Sequence, residues 1–402
     1  MRAIYVDAFG EGFRTADEIA DLLSFAVDAE LDSIVVQVVR RGDAFANRLP
    51  VPRADGDIPD PDFDPLHELC QESERHGIDI HAWVAVTPIA VLPPGERVSD
   101  TVDPSLQSLV SVCRDGRDRE PNGVVHIDPG HPETAARCAR IARALVREYP
   151  VAGVSLDRIR YPNAPEPDLL WGHNPVAMSR YIGCGGTVAD AEQMSESFLQ
   201  WRRDQVTGLL AYVRDEVHAE RRSAEISVNA VCAEGLEHGW QFSRAYRVLG
   251  QDWAGWIRDG AVDRVLFMNY RGDSDDADLV PDDYTGDRQE LLKEGSVSRV
   301  AERRVLQDRF QEWNALARSH TTSEPGDVGP RRRPAQAIPA IGLYLNTIEQ
   351  TNDQLRLCRE SGFRGFCGFS YRNPSLSALF GESSGIAERN RLAELYRNEL
   401  RR

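Results

Sequence analysis

The stretch Gly153-Val154-Ser155-Leu156-Asp157-Arg158-Ile159-Arg160-Tyr161-Pro162 decides how this chain is read. Its first half is a short run of small and apolar residues. The two-residue alternation of a strand puts Ser155 and Asp157 on one face and Leu156 on the other. Its second half crowds a carboxylate, two arginines and a tyrosine onto the strand's C-terminal end, where burial without partners would be costly. Pro162 keeps Tyr161 out of helical geometry, so the segment runs on extended.

Outward from this stretch the same unit repeats. Before it, Pro132 opens a helix with Ala135, Cys138, Ala139, Ala142, Leu145 and Val146 on one face. After it, a helix over about Phe198–Ala219 places Val206, Leu209, Leu210, Val213 and Val217 at helical spacing. Strands are expected over 3–8, 33–39, 79–86, 151–159, 225–231, 263–270, 337–345 and 365–371. Helix starts are written as Thr15 with Glu18 three residues on, and as Asp64-Pro65. Strict alternation of strands and helices implies right-handed units on a parallel sheet, and eight of them favour closure over an open sheet. Neither a Gly-x-Gly-x-x-Gly turn nor a Walker loop is present. The expected fold is therefore α/β: a (β/α)8 TIM barrel, one domain over 1–402. It has long βα loops and an insertion over 271–336 between the sixth and seventh strands.

The net charge is −17, and Lys293 is the single lysine among 47 basic residues. A dense carboxylate surface with almost no lysine is the composition of proteins from a halophilic, high-salt cytoplasm. A GC-rich genome trading lysine for arginine gives the same lysine count. Such a field repels polyphosphate, so nucleic acid is not an expected partner. Arg331-Arg332-Arg333 lies in a Pro/Gly-rich loop and reads as solvated. No apolar run reaches the roughly 18 residues of a membrane span. Met1-Arg2-Ala3 leads straight into a strand without a signal-peptide pattern, which reads as cytoplasmic. The seven cysteines form no C-x-x-C pair and read as reduced core thiols. No zinc motif, nucleophile elbow or EF-hand spacing is found, so no metal or cofactor is expected, and Asp273–Asp278 reads as solvated loop. Oligomeric state is left open.

In a barrel of this kind the C-terminal strand ends gather around one mouth, where active sites sit. Asp157 is the leading candidate for catalysis there, with Arg158, Arg160 and Tyr161 beside it. The second strand ends in Gln37, Arg40, Arg41 and Asp43, with Gly42 permitting a sharp turn. Its arginines could meet hydroxyls or carboxylates. The third strand offers Trp83 as a stacking platform, with His81 deeper. Asn229, Asn269, Tyr270, Tyr344, Ser370 and Tyr371 lie near the remaining strand ends, with Trp171 and Trp201 on nearby segments. Amides, phenols and indoles around a mouth suit a sugar, which offers hydroxyls to hydrogen-bond and C–H faces to stack. Asp7, Asp43, Glu234 and Asp273 are candidates for a second carboxylate. A separation of roughly 5 Å would imply retention, and roughly 6.5–9.5 Å inversion.

Taken together, several stretches resemble the glycosyl-hydrolase-like (β/α)8 barrels, a family first catalogued as a domain of unknown function. They are Val36–Val38 through Arg41–Asp43, His81-Ala82-Trp83, Ile127–Pro132, Leu156–Pro162, Trp171–Pro175 and Trp201–Gln205. Gln251–Trp253, Met268–Tyr270, Gly342–Leu345 and Phe369–Tyr371 continue the series in family order over about residues 2 to 375. The chain departs in having Ala152-Gly153 where the family has Asp-Gly, and Val84–Val86 where an asparagine often stands. The resemblance implies a carbohydrate-active enzyme, with Asp157 in the place of the aspartate of the family's strand-four motif. Some bacterial envelope members act on peptidoglycan glycan strands. Met268-Asn269-Tyr270 also resembles chitinase-type barrels, where a tyrosine assists an N-acetyl group acting as internal nucleophile. The function expected is glycoside hydrolysis of an oligo- or polysaccharide. The alternatives are a noncatalytic glycan-binding or regulatory barrel and, further off, a transglycosylase or lyase.

Overall fold

The computed structural model describes residues 1–163, 169–233, 235–272, 303–322 and 334–400. Among the described residues there are ten strands: β1 (Arg2–Val6), β2 (Ser33–Val39), β3 (Asp79–Ala85), β4 (Pro88–Val91), β5 (Val124–His126), β6 (Gly153–Asp157), β7 (Glu225–Val231), β8 (Arg264–Met268), β9 (Gln336–Gly342) and β10 (Phe366–Phe369). Eight of them close into a barrel in the order β1-β10-β9-β8-β7-β6-β3-β2, every pairing parallel. The eight-strand barrel read from the sequence is the fold observed.

Each strand face has its own core. Ile4, Val6, Ile34, Val36, Val154, Leu156, Ile226 and Val228 point outward into one apolar cluster under the helices. Alternate residues (Ala3, Tyr5, Val35, Trp83, Leu266, Ile338, Cys367 and Phe369) fill the barrel interior as a second cluster. Burial on both faces explains why Ser33-Ile-Val-Val-Gln-Val-Val39 is buried at every position. Each large aliphatic side chain so buried contributes on the order of 1.5–3 kcal/mol.

The helices start where their caps are written. Thr15 Oγ1 accepts from the Glu18 amide ahead of Ala16–Asp28, and Asp64 accepts from the His67 amide ahead of Pro65–Arg75. The Thr15 box is only half closed, because the Glu18 carboxylate turns to the amides of Gly12 and Arg14 instead. The long outer helices Pro132–Glu148 and Glu196–Glu220 pack side by side.

Two departures position the site. The fourth expected strand ends early, at Asp157, because Arg158 takes a left-handed φ of 51°. The long connection after β3 holds an antiparallel ribbon, β4 with β5, that the sequence pattern did not show. The ribbon is tied to the barrel top by Ile127 N donating to Thr87 O at 2.8 Å, while Val86 N reaches Asp157 O at 2.8 Å. A further helix, Arg303–Thr322, precedes β9. Most of the span 271–336, expected as an insertion, lies outside the described residues, as do Glu234, Asp273 and Arg331–Arg333. No helix among the described residues is long and apolar enough to cross a membrane.

Candidate active site

Asp157 ends β6, level with Ala85 on β3. Trp83, which faces the barrel interior, donates from Nε1 to Asp157 Oδ2 at 3.0 Å. The left-handed turn at Arg158 swings its own amide back, and that N–H donates to Asp157 Oδ1 at 2.8 Å. Both carboxyl oxygens therefore have a fixed donor, and the plane of the group is set by the backbone and the indole together. A cleft opens over it, lined by Gln37, Arg40 and Arg41 from the end of β2, Trp83 from β3, and Asp157 and Arg158 from β6.

The β2 end is built around Gly42. Its φ is 95°, and a Cβ there would collide with the Ile89 carbonyl, so the turn requires glycine. The turn folds Asp43 back onto Arg40, whose guanidinium also meets Asp57 Oδ2 at 2.7 Å and donates to Ala8 O at 3.1 Å. Burial alone would lower the pKa of Arg40; the bonds to Asp43 and Asp57 outweigh it and raise it. Gln37 Oε1 accepts from the Ala8 amide at 3.0 Å, and the Arg41 guanidinium lies 4.8 Å from the Phe9 ring centre.

Behind Arg158 sits a buried charge network of Glu120, His126 and Arg160. Glu120, 3% exposed, accepts from the Asn163 amide at 2.8 Å and lies 3.2 Å from His126 Nε2 and 4.0 Å from Arg158 Nη1. Burial would raise its pKa, but His126, Arg158 and Arg160 together hold it down to about 2. Burial pushes His126 down, and its Nδ1 faces Thr87 Oγ1 at 3.0 Å. Arg160 is sequestered, with burial and the neighbouring Arg158 lowering its pKa to about 10, and it donates to Tyr161 O and Asn163 Oδ1. Thr87 and Glu120 were not signalled by sequence, because their partners lie on the β6 end, far away along the chain.

Other expected residues lie below the cleft. Asn229 Oδ1 accepts from Tyr5 OH at 2.8 Å and from Ser155 Oγ at 3.2 Å inside the barrel. Tyr270 packs on Phe369 and Tyr344, with ring centres 5.3 and 6.1 Å apart. Burial drives the Tyr270 pKa well above its ordinary value. Asp7 is engaged at the β1 end, accepting from Ser370 Oγ at 3.0 Å and the Phe9 amide at 3.1 Å, with Arg372 Nε at 3.1 Å.

Three residues expected at the mouth are elsewhere. Tyr371 turns outward, against Phe25 and under the Arg389 guanidinium at 4.6 Å. Tyr161 is buried in the helical shell, 4.2 Å beneath the guanidinium of Arg202. Asn269 faces the helix Arg303–Thr322, donating to Phe310 O at 2.9 Å and Asn314 Oδ1 at 3.3 Å. Trp171 and Trp201 are also buried outside the barrel, Trp171 donating to Asn163 O and Trp201 stacked on Phe198. In each case the residue lies past a strand end, on a connecting segment or, for Trp201, on the helix Glu196–Glu220, where two-residue alternation does not dictate direction. Among the described residues, no group of three or more histidine, cysteine or carboxylate side chains is placed to hold a metal ion.

The glycosyl hydrolase-like 10 family model matches residues 8–280. The chain is 24% identical over 225 residues to the glycosyl hydrolase DigH of Escherichia coli (strain K12), covering 52% of this chain and 47% of that protein. It thus spans about half the length of the curated relatives it matches. Among solved structures, the glycoside hydrolase domain of PgaB (BpsB) from Bordetella bronchiseptica superposes with a TM-score of 0.63 at 14% identity, over 96% of this chain and 97% of that one. A β-galactosidase from the haloarchaeon Halorubrum lacusprofundi gives 0.53 at 14% identity, over 99% and 58%. These likenesses show the same barrel fold, and the sequence match over most of the chain gives its family: it belongs to the glycosyl hydrolase-like 10 family.

Proposed function

We propose that this protein is a glycoside hydrolase acting on an oligo- or polysaccharide, with acid/base chemistry at the barrel mouth centred on Asp157. The observation that carries this is the Asp157 carboxyl group, held at the C-terminal end of β6 by Trp83 Nε1 and the Arg158 amide, within a cleft. A carboxyl group of fixed orientation beside arginine and indole can transfer a proton to a glycosidic oxygen or attack an anomeric carbon. Gln37 Nε2 and the Arg158 guanidinium offer hydrogen bonds to sugar hydroxyls. The names of DigH and of the PgaB domain support the class of chemistry.

One observation favours a second reading, a barrel that binds glycans without cleaving them. Among the described residues that line the cleft, Asp157 supplies the one carboxylate, and two-carboxyl mechanisms need a partner within roughly 10 Å. Digestion of a glycan panel by wild type and Asp157→Asn, with products read by mass spectrometry, separates the two readings. Cleavage absent from the variant supports the hydrolase. Binding by both proteins with no product from either supports the noncatalytic barrel.

A further inference from the structure

We infer that Arg202, outside the barrel, is a positioning residue for Asp157: it locks the segment leaving β6, and so holds the turn that supplies one of the two donors to that carboxyl group. That role rests on reading Asp157 as the centre of the site, and it adds a residue acting on Asp157 through the backbone.

The orientation of Asp157 depends on a turn that its neighbours must enforce. Arg158 has a φ of 51°, and in that left-handed conformation its amide reaches Asp157 Oδ1. A residue other than glycine stays there only where the surrounding structure over-determines it. On the near side, Thr87 Oγ1 donates to Arg158 O at 2.9 Å and Val86 N donates to Asp157 O at 2.8 Å. On the far side the chain runs on to the buried Tyr161, whose N–H donates to Leu249 O at 2.9 Å. Arg202 grips both partners of that contact. Its guanidinium lies 4.2 Å from the centre of the Tyr161 ring, and it donates to Val248 O at 2.8 Å and to Arg247 O at 3.3 Å. The Tyr161 hydroxyl has no hydrogen-bond partner among the described residues, so the ring is held by the stack.

Packing alone does not call for a guanidinium here. Arg202 is fully buried, its Nε has no partner among the described residues, and burial lowers its pKa to about 10. A buried charge is costly, and an apolar side chain would fill the space at less cost. What an apolar side chain cannot do is lie flat on Tyr161 while holding two carbonyl groups of the adjoining loop. The backbone makes room for this stack. Gly172 has a φ of 111°, and a Cβ there would come within 3.2 Å of both Arg202 Nε and Tyr161 Cε1. Tyr161 is thus fixed at its ring by Arg202 and at its amide by a loop that Arg202 also fixes. The short segment between Tyr161 and Asp157 is left with both ends tied, which keeps Arg158 in its turn.

The test reads Trp83, which donates to the other oxygen of Asp157. In the nitrogen-labelled full chain, the Trp83 Nε1–H resonance is assigned by its loss in Trp83→Phe and followed in Arg202→Met, Arg202→Lys and Val217→Ala. Val217 is a fully buried residue of the same helix, roughly 22 Å further along at 1.5 Å per residue, and serves as the control for plain loss of packing. Arg202→Met should displace the Trp83 resonance and Arg202→Lys should displace it less, while Val217→Ala leaves it in place. On whichever glycan the wild type cleaves, Arg202→Met should lower kcat about tenfold to hundredfold with KM unchanged, and Arg202→Lys should recover part of the loss. If Arg202→Met does not fold, Arg202→Lys carries the test, because lysine keeps the charge and loses the flat stack. A Trp83 resonance unmoved in every folded Arg202 variant, or moved as far by Val217→Ala, overturns the positioning role. So does a kcat that is lost in Asp157→Asn and unchanged in the Arg202 variants, an outcome that keeps the hydrolase reading. If no glycan is cleaved, the hydrolase reading fails and the resonance alone decides.

Discussion

Replacing Glu120 with glutamine keeps the shape of the buried network behind the cleft and removes its negative charge. Glu120 is 3% exposed, and the surrounding His126, Arg158 and Arg160 hold its pKa near 2 against an ordinary 4.5. A depression of that size corresponds to about 3 kcal/mol of folding stability, at 1.36 kcal/mol per pKa unit. Removing one partner of a buried ionic network costs a similar amount, about 3–5 kcal/mol, because Arg158 and Arg160 are left with less compensation. Spread over an unfolding entropy of about 0.8 kcal/mol/K for a chain this long, the loss lowers Tm by roughly 4 °C. The sign of the pH dependence follows from the depressed pKa. The stabilisation is fully present above about pH 4.5, the ordinary carboxyl value, and is lost as pH falls through about 2. Urea unfolding of wild type and Glu120→Gln at several pH values measures this directly. The expected gap is about 3 kcal/mol at pH 7, closing as the wild-type carboxyl group protonates. Equal stability at pH 7, or a gap that does not narrow in acid, would mean that the Glu120 charge does not stabilise the fold.

Trp83→Phe keeps an aromatic ring in the barrel core but deletes the donor to Asp157 Oδ2, so kcat should fall about tenfold to hundredfold, with a stability cost on the order of 1–3 kcal/mol for the smaller ring; an unchanged kcat would show that the indole does not position the carboxyl group. Asn269→Ala removes buried bonds to Phe310 and Asn314 and should cost on the order of 1–3 kcal/mol while leaving KM unchanged. A shift in KM without loss of stability would return that residue to the cleft. If the net charge of −17 reflects adaptation to salt, Tm should climb steeply with molar potassium chloride as carboxylate repulsion is screened. A flat response would leave genome composition as the account of the missing lysines.

Where chain direction is set by strand periodicity, the sequence was legible. The apolar run of β2 and the alternation of β7 end where the pattern ends, and Ser155 and Asp157 share the interior face of β6 as spaced. Legibility failed one or two residues beyond the strands. β8 stops at Met268, and the next residue, Asn269, turns to a helix contributed from forty residues downstream. Tyr371 follows β10 and goes outward to Arg389, while Tyr161 is claimed by Arg202. None of these partners has a local signal. The same holds for Glu120, whose neighbours in sequence, Arg119 and Pro121, say nothing of the Arg158 it faces. The β4–β5 ribbon was hidden for a related reason, since β5 has only three residues and offers too short a window for periodicity.

The most direct test of the central claim is the turnover of Asp157→Asn on whichever glycan the wild type cleaves, measured beside its binding affinity and melting temperature. The expected result is a fall in kcat of about 10²–10⁴, the usual contribution of a positioned acid or base, with affinity and folding retained. A kcat close to that of wild type, in a variant that folds and binds, would contradict it and move the chemistry away from the end of β6.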